Sequence, residues 1–266
     1  MQEKSEEADE EIIEGKNRMS EDMKKTALEM MRVSEAVYVL LSGCTRLPYV
    51  ECDSETYDDQ ILLFYREEDA RRRAKELLED KNLVQVVKVE KKSFLPFYTS
   101  LYPMGVNCIV VNDGTSKRIA VQLNELIRRS RPEQLPKGQV WVENPELHLT
   151  AIYFMQELHK NQGKEMTEEM TELYEEMLAH FGRGKYIFAV GKDKGIPALK
   201  GKDGKLYQPL FTDSQEFQKF NGPNQLSAMV VEADKIRNLL PPESEGVVLN
   251  PVGVNVQFKI RKRPDN

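Results

Sequence analysis

Periodic apolar positions divide the first half of the chain into helices and short strands. Apolar residues recur at helical spacing in three segments: Ser20–Ser34, Glu67–Asp80 and Phe94–Leu101. Ser20 suits the N-cap of the first helix. Short apolar or alternating runs predict six strands: Val37–Leu41, Leu47–Val50, Gln60–Tyr65, Val84–Glu90, Cys108–Asn112 and Arg118–Gln122.

The same order of elements returns in the second half. Asn144 followed by Pro145 offers an N-cap and a proline at the first helical position, which predicts a helix to about Asn161. A second helix is predicted over Thr167–Phe181. Strand-like runs then repeat the earlier order, which we interpret as an internal duplication: Tyr186–Val190, Leu210-Phe211, Leu226–Glu232, Val247–Asn250 and Asn255–Lys259.

These elements predict an α+β fold made of two related copies. Each copy is expected to hold a mixed or antiparallel sheet with helices on one face. A three-stranded meander comes first, followed by helix, strand, helix and a terminal hairpin. The predicted boundaries are an acidic disordered tail at 1–19, a diverged copy at 20–130, a linker at 131–141 and the second copy at 142–262.

Charge is concentrated at the N-terminus. Residues 1–15 contain seven acids and one Lys, a net of −6 that equals the net charge of the whole chain. A neutral body lacks the clustered Lys and Arg that bind phosphates, so we expect no nucleic-acid partner. No apolar run reaches the ~18 residues of a membrane span, so we expect no association of the chain with a membrane. The absence of a signal-peptide pattern and of paired cysteines predicts a cytoplasmic location.

Motifs of catalysis and metal binding are missing from the sequence. It contains no HExxH, GxSxG, GxGxxG or Walker loop, and no cysteine pair at metal-ligand spacing. His148 and His159 share a face of one predicted helix but lie about 16 Å apart at ~1.5 Å per residue, too far for one metal. We therefore expect solvent-exposed histidines, no catalytic residue, no metal and no cofactor.

Four residues are candidates for binding: Phe211, Thr212, Asp213 and Asn250. Thr212 to Gln215 has the form of a capping box, with Thr at the N-cap. This helix N-terminus, beside Phe211, is predicted to line a groove with Asn250. Asp213 would oppose an anion there, which favours a neutral, zwitterionic or peptide ligand. The alternative is purely structural: Thr212 caps the helix, and Asn250 bonds its own turn.

Three stretches of the second copy resemble the SseB family, named for an enhanced-serine-sensitivity phenotype: Asn144–Leu147 leading to Lys185–Val190, Pro209–Asp213, and Gly246–Pro251. The resemblance spans roughly residues 142–260. The first copy departs from it, with Tyr65 in place of Thr212 and Asp113 in place of Pro251. The resemblance implies a bacterial cytoplasmic protein and carries no defined reaction.

The pattern and the resemblance together favour a non-enzymatic binding or interaction module with a regulatory role. We expect a protein partner and a monomer or homodimer. Two alternatives stay open. One is a small-molecule sensor, for example for an amino acid, which a pocket near Phe211, Thr212 and Asn250 would support. The other is an uncharacterised enzyme, which would need a nucleophile and a base in one cleft.

Overall fold

The computed structural model describes residues 19–129, 133, 135–136, 140–162, 164–192, 195–222 and 225–260. The elements of the first half are α1 (19–33), β1 (Ala36–Ser42), β2 (Val50–Cys52), β3 (Asp59–Phe64), α2 (Glu67–Glu79), β4 (Val84–Glu90), α3 (Phe94–Leu101), β5 (Cys108–Val111), β6 (Ile119–Gln122) and α4 (Leu123–Leu126). Those of the second half are α5 (Pro145–Lys160), α6 (Glu168–Phe181), β7 (Lys185–Val190), β8 (Leu199–Lys200), β9 (Leu206–Phe211), α7 (Ser214–Phe220), β10 (Ser227–Glu232), α8 (Ala233–Leu239), β11 (Ser244–Leu249) and β12 (Val256–Lys259).

The two halves share one sheet topology. The strand orders are β4-β1-β3-β5-β6 and β10-β7-β9-β11-β12, and β2 and β8 pair with β3 and β9. One pair in each sheet is parallel, β3 with β5 and β9 with β11, while the other pairs are antiparallel. Leu63 pairs with Val111, and Leu210 pairs with Leu249, so these positions correspond. The predicted α+β class with two related halves is confirmed.

The first three strands of each half form a less regular arrangement than the predicted meander. In the first half, β1 pairs with the end of β3 through Val39 and Leu63, whereas β2 pairs with its start through Val50 and Ile61. An isolated bridge joins β1 to Pro48 just before β2. Proline has no N–H with which to extend that bridge into a ladder. The two strands therefore share one edge of β3.

Both faces of the first sheet are covered. Because successive side chains of β3 point to opposite faces of the sheet, Leu63 packs in the main core and Leu62 packs on the other face. The second face packs against Leu77 of α2, so helices lie on both sides and not only on one. The main core runs on into the second half, where it includes Leu249 and Phe258.

Helix α5 connects the two halves with polar contacts as well as apolar ones. The Gln156 amide pairs with both backbone groups of Val50, donating through Nε2 at 2.9 Å and accepting through Oε1 at 3.3 Å. The Tyr153 hydroxyl donates to Asp59 at 2.6 Å. All of these partners belong to the first half. Helix α5 also packs against α6 of the second half.

The N-terminal boundary differs from the prediction. Met19 and Ser20 both lie inside α1, so Ser20 is not its N-cap and the predicted tail extends one residue too far. Met19 lies one turn before Met23 and continues the apolar stripe of the helix. Residues 1–18, most of the predicted linker 131–141 and residues 261–262 lie outside the described residues. No helix in the described ranges has both the length and the apolar character needed to cross a membrane.

Candidate functional site

Thr212 is the centre of a buried polar network at the end of β9. Its backbone N–H donates to Asn250 Oδ1 at 3.0 Å, and its carbonyl accepts from Asn144 Nδ2 at 2.8 Å. Its hydroxyl donates to Asp213 Oδ2 at 2.7 Å and accepts from Asn250 Nδ2 at 2.8 Å. Every polar group of Thr212 is therefore paired, as burial requires.

Asn250 adopts a left-handed backbone conformation directly after β11. Its φ is 45°, a region that Asn tolerates better than other residues with a side chain. Its N–H donates to Leu210 O at 2.8 Å, and its carbonyl accepts from Gly253 and Asn255. The turn holds the side-chain amide against Thr212. Because β9 and β11 are parallel neighbours, their carboxyl ends bring the two residues together.

Asp213, and not Thr212, is the N-cap of α7. Its Oδ1 accepts from the backbone N–H of Gln215 at 2.8 Å and of Glu216 at 2.9 Å. The N-cap therefore lies one residue later than predicted and no capping box forms at α7 among the described residues, because β9 continues through Phe211 and Thr212 is held by Asn250. Burial acts to raise the pKa of Asp213, but His148 and the donors of Thr212 and Glu216 hold that pKa below its ordinary value of 3.8.

Asn144, at the N-terminus of α5, and His148, on α5, close this network, although the sequence did not place either residue at the site. The side-chain amide of Asn144 donates to the carbonyls of Lys185 and Thr212, at 2.7 and 2.8 Å, and does not cap α5. His148 Nδ1 lies 3.1 Å from Pro103 O of the first half, 3.4 Å from Thr212 Oγ1 and 3.6 Å from Asp213 Oδ2. His148 was expected to be exposed, but it is 1% exposed, because it lies on the apolar face of α5.

The four predicted binding residues are neighbours, but they are enclosed. Phe211, Thr212 and Asn250 are 0% exposed and Asp213 is 2% exposed. Phe211 packs edge-on against Phe217, at 5.5 Å between ring centroids. The side chains of Thr212 and Asn250 bond each other, so the two residues are close enough to line one site. Their role in binding a ligand stays a prediction.

The first half carries a looser version of the same arrangement. Asn112, with φ of 53°, donates its N–H to Leu63 O at 2.8 Å and accepts from the Tyr65 N–H at 3.3 Å, as Asn250 does from Thr212. Tyr65 sends its hydroxyl away to Ala27 O of α1 at 2.8 Å. Within the described part of the chain, Asn112 Nδ2 has no hydrogen-bond partner. Arg66, at the N-cap of α2, makes no side-chain cap.

An open apolar groove lies at this position of the first half. We call it the α1 groove; it is lined by one face of α1 and by the ends of β3, β5 and β6, and its residues are Met19, Asp22, Met23, Thr26, Ala27, Met30, Tyr65, Val111, Asn112, Lys117 and Ile119. Its volume is about 750 Å³. Met19 is 61% exposed and Met30 is 39% exposed. Exposed methionines adapt to apolar side chains of varied shape.

The sequence held a weak signal for this groove. Met23, Ala27, Met30 and Met31 form an apolar stripe at helical spacing, a pattern typical of core positions, and Ala27 and Met31 are indeed buried. Met30 faces the groove instead. For His148, the signal was its position one turn after Asn144 on the apolar side of α5. Nowhere in the described chain do three or more His, Cys, Asp or Glu side chains gather so that they could hold a metal ion.

Comparison with known proteins shows little similarity at the level of sequence. No protein-family model matches the chain, and no curated protein matches it. Among solved structures, Tic22 from Plasmodium falciparum is similar at 13% identity over 83% of this chain and 90% of that chain, with a TM-score of 0.21. Anabaena Tic22 (protein transport) is similar at 13% identity over 84% and 90%, with a TM-score of 0.20. Scores this low carry no argument about function. The SseB resemblance remains a prediction.

Proposed function

We propose that this chain is a non-enzymatic binding module that holds an apolar segment of a partner protein in the α1 groove. The observation that supports it is the contrast between the two equivalent positions. In the second half the position is closed around a paired polar network, whereas in the first half it is open and apolar. An apolar surface left exposed beside Met19 and Met30 costs free energy that a partner's apolar side chains would recover, at about 25 cal/mol per Å² covered.

We retain the regulatory, SseB-like role expected from the sequence as part of this proposed function. The groove provides the binding surface, and the shared core of the two halves holds that surface in place. The sensor alternative would place a ligand against Phe211, Thr212 and Asn250, which are enclosed, and Thr212 and Asn250 already bond each other. The α1 groove in the first half is already open, so a partner could bind there without disrupting a buried network.

Site-specific photo-crosslinking in the cell of origin tests the proposal. A benzophenone amino acid replaces Met30 in the groove, and Leu178 on α6 is the matched control because it is 44% exposed and lies outside the groove. We expect discrete protein adducts at position 30 and none of the same size at position 178. The added substitution Met23→Glu should abolish the adducts at position 30.

Equal adducts at both positions, or adducts that persist in the Met23→Glu protein, would contradict binding in the groove. Circular dichroism of each variant checks that it is folded. Met23 is only half-buried, so a carboxylate there reaches solvent and the fold should persist.

A further inference from the structure

The two sheets differ in how their corresponding end strands, β4 and β10, are protected. Within the described residues, no other strand pairs with the outer edge of either one. A free edge presents backbone donors and acceptors that pair with another chain unless a charge, a proline or a covering element opposes it. β4 is protected by a lysine at the middle of its edge and by a long helix, and β10 has neither.

Backbone hydrogen bonds show which residues of β10 face outward. Ala233 donates its N–H to Gly184 O at 3.1 Å and continues the register of β10 with β7. In an antiparallel pair, only alternate residues direct their N–H and C=O groups at the neighbouring strand. Counting back from Ala233, the residues whose backbone groups face outward are Ala228, Val230 and Glu232. The pairing with β7 has no bulge, and β10 contains no proline and no lysine.

Val230, at the middle of this edge, corresponds to Lys88 of β4. Each lies opposite the residue that pairs with the last residue of the central strand, which is Phe64 in β3 and Phe211 in β9. Lys88 is exposed, and a charged side chain on an edge opposes strand association. Val230 is apolar and 40% exposed, and it lines a cavity of about 480 Å³ together with the exposed Val140. The charge that protects the first edge is absent from the second.

The helices that follow the central strands also differ in length. α2 has 13 residues and reaches β4, where Val84 and Val86 pack in the apolar cluster beneath it. α7 has 7 residues and packs on β9 and β7. Ala228, the counterpart of Val86, is exposed. The shorter helix therefore leaves the outer face of β10 open beside its free edge.

We propose that β10 pairs with β10 of a second copy of this chain, antiparallel, about a two-fold axis at Val230. The outward-facing residues lie symmetrically about Val230, so rotation by 180° brings each donor opposite an acceptor. Val230 then pairs with Val230 of the second copy, and Ala228 pairs with Glu232 of the second copy. The two sheets join into one across the dimer, which is strand addition with an identical partner.

The side chains favour this self-pairing at β10 and oppose it at β4. Two valines opposite each other on an antiparallel pair are stabilising, and the two-fold axis places no like charges directly opposite. Glu232 meets only Ala228 across the axis and is already paired with Lys235 at 2.5 Å. The same arrangement at β4 would place Lys88 directly opposite Lys88 of the other copy, which is destabilising.

Sedimentation equilibrium of the full chain over a concentration series tests this inference. We expect a reversible dimer. Val230→Lys introduces the residue found in β4 and should weaken the dimer at least about tenfold. Val230→Pro removes an outward N–H without removing a bond to β7, and should weaken it as much. Leu178→Lys, which adds the same charge on α6, should leave the dissociation constant within about twofold. Circular dichroism checks that each variant is folded.

Cysteine cross-linking tests the position of the axis. In a protein whose Cys44 and Cys52 are replaced by serine, Val230→Cys should form a disulfide-linked dimer under mild oxidation. The two Cα atoms of a directly opposed, hydrogen-bonded pair lie about 5.5 Å apart, within the range that a disulfide spans. Ser227→Cys is the matched control, because Ser227 is exposed and would lie about 20 Å from its copy at ~3.4 Å per residue.

Several outcomes would overturn the proposed dimer. A monomer at every concentration would do so, as would a dimer that neither Val230 variant weakens or equal cross-linking at positions 227 and 230. A dimer lost in Met30→Glu but kept in Val230→Lys would place self-association in the α1 groove instead. The α1 groove shares no lining residue with this edge, so the photo-crosslinks at position 30 and the dimer can each fail without the other.

Discussion

The ends of the two parallel strand pairs share one backbone arrangement, but their side chains make different contacts. Asn112 and Asn250 both leave their strand at positive φ and both accept a backbone N–H from across the parallel pair. In the second half, the hydroxyl of Thr212 also accepts a hydrogen bond from Nδ2 of Asn250. In the first half, Tyr65 directs its hydroxyl to α1 instead. The exchange of Thr212 for Tyr65 is thus one of the differences between the closed polar network and the open groove.

The largest expected effect is a difference between the two asparagines. Asn250→Ala should destabilise the protein by about 4 kcal/mol, because it strains the left-handed turn and leaves the buried N–H of Thr212 unpaired. Asn112→Ala should cost about 2 kcal/mol, since its surroundings are half-exposed and water can replace the lost bond. Urea unfolding of both variants measures the contrast. Equal losses would show that the network adds nothing to the turn.

A smaller effect is expected from the two residues that differ. Thr212→Val should cost about 2 kcal/mol, because it removes the hydroxyl that links Asn250 to Asp213 inside the protein. Tyr65→Phe should cost about 1 kcal/mol, because it removes one bond at a partly exposed site. Thermal unfolding compares them under one condition. If Tyr65→Phe were the more harmful change, the first half would depend on its hydroxyl more than the geometry suggests.

The smallest expected effect concerns acid. The folded pKa of Asp213 is depressed, so its stabilisation is fully present above pH 3.8 and is lost as the pH falls through the lower, folded pKa. Asp213→Asn keeps a capping oxygen and should cost about 1 kcal/mol at pH 7. The gap from the unmodified protein should close as the pH falls through the folded pKa of Asp213, which lies below 3.8. Urea midpoints across pH 2.5–7 measure it, with exposed Asp22→Asn as the control. A gap constant with pH would remove Asp213 from the acid response.

The order of the elements and the correspondence of the halves could be predicted from sequence. Helical and alternating periodicity is local, so α2, α3 and α6 lie where their apolar spacing predicts. The match of Leu210 to Leu63 and of Asn250 to Asn112 also follows from pattern. Sheet pairing then confirms the same correspondences through hydrogen-bond register.

The site could be predicted only in part, because its closure is non-local. Thr212 and Asn250 end neighbouring parallel strands, which local pattern can suggest. Asn144 and His148 contact Thr212 although 68 and 64 residues of chain separate them. Local periodicity shows which face of a helix is apolar, but it does not predict which distant residues that face contacts. Met30 and Met31 show the same limit. They are the same residue type side by side, yet one faces the groove and the other is fully buried.

The pairing of Gln156 with Val50 has a consequence for how this chain can be divided. A primary amide has the same donor and acceptor as a peptide group, so Gln156 acts as a one-residue substitute for a missing neighbouring strand. It covers the free edge of β2, a kind of edge that otherwise recruits other chains. A fragment cut before α5 would lose this cover and expose a short adhesive edge. The first half thus depends on a helix of the second to cover this edge.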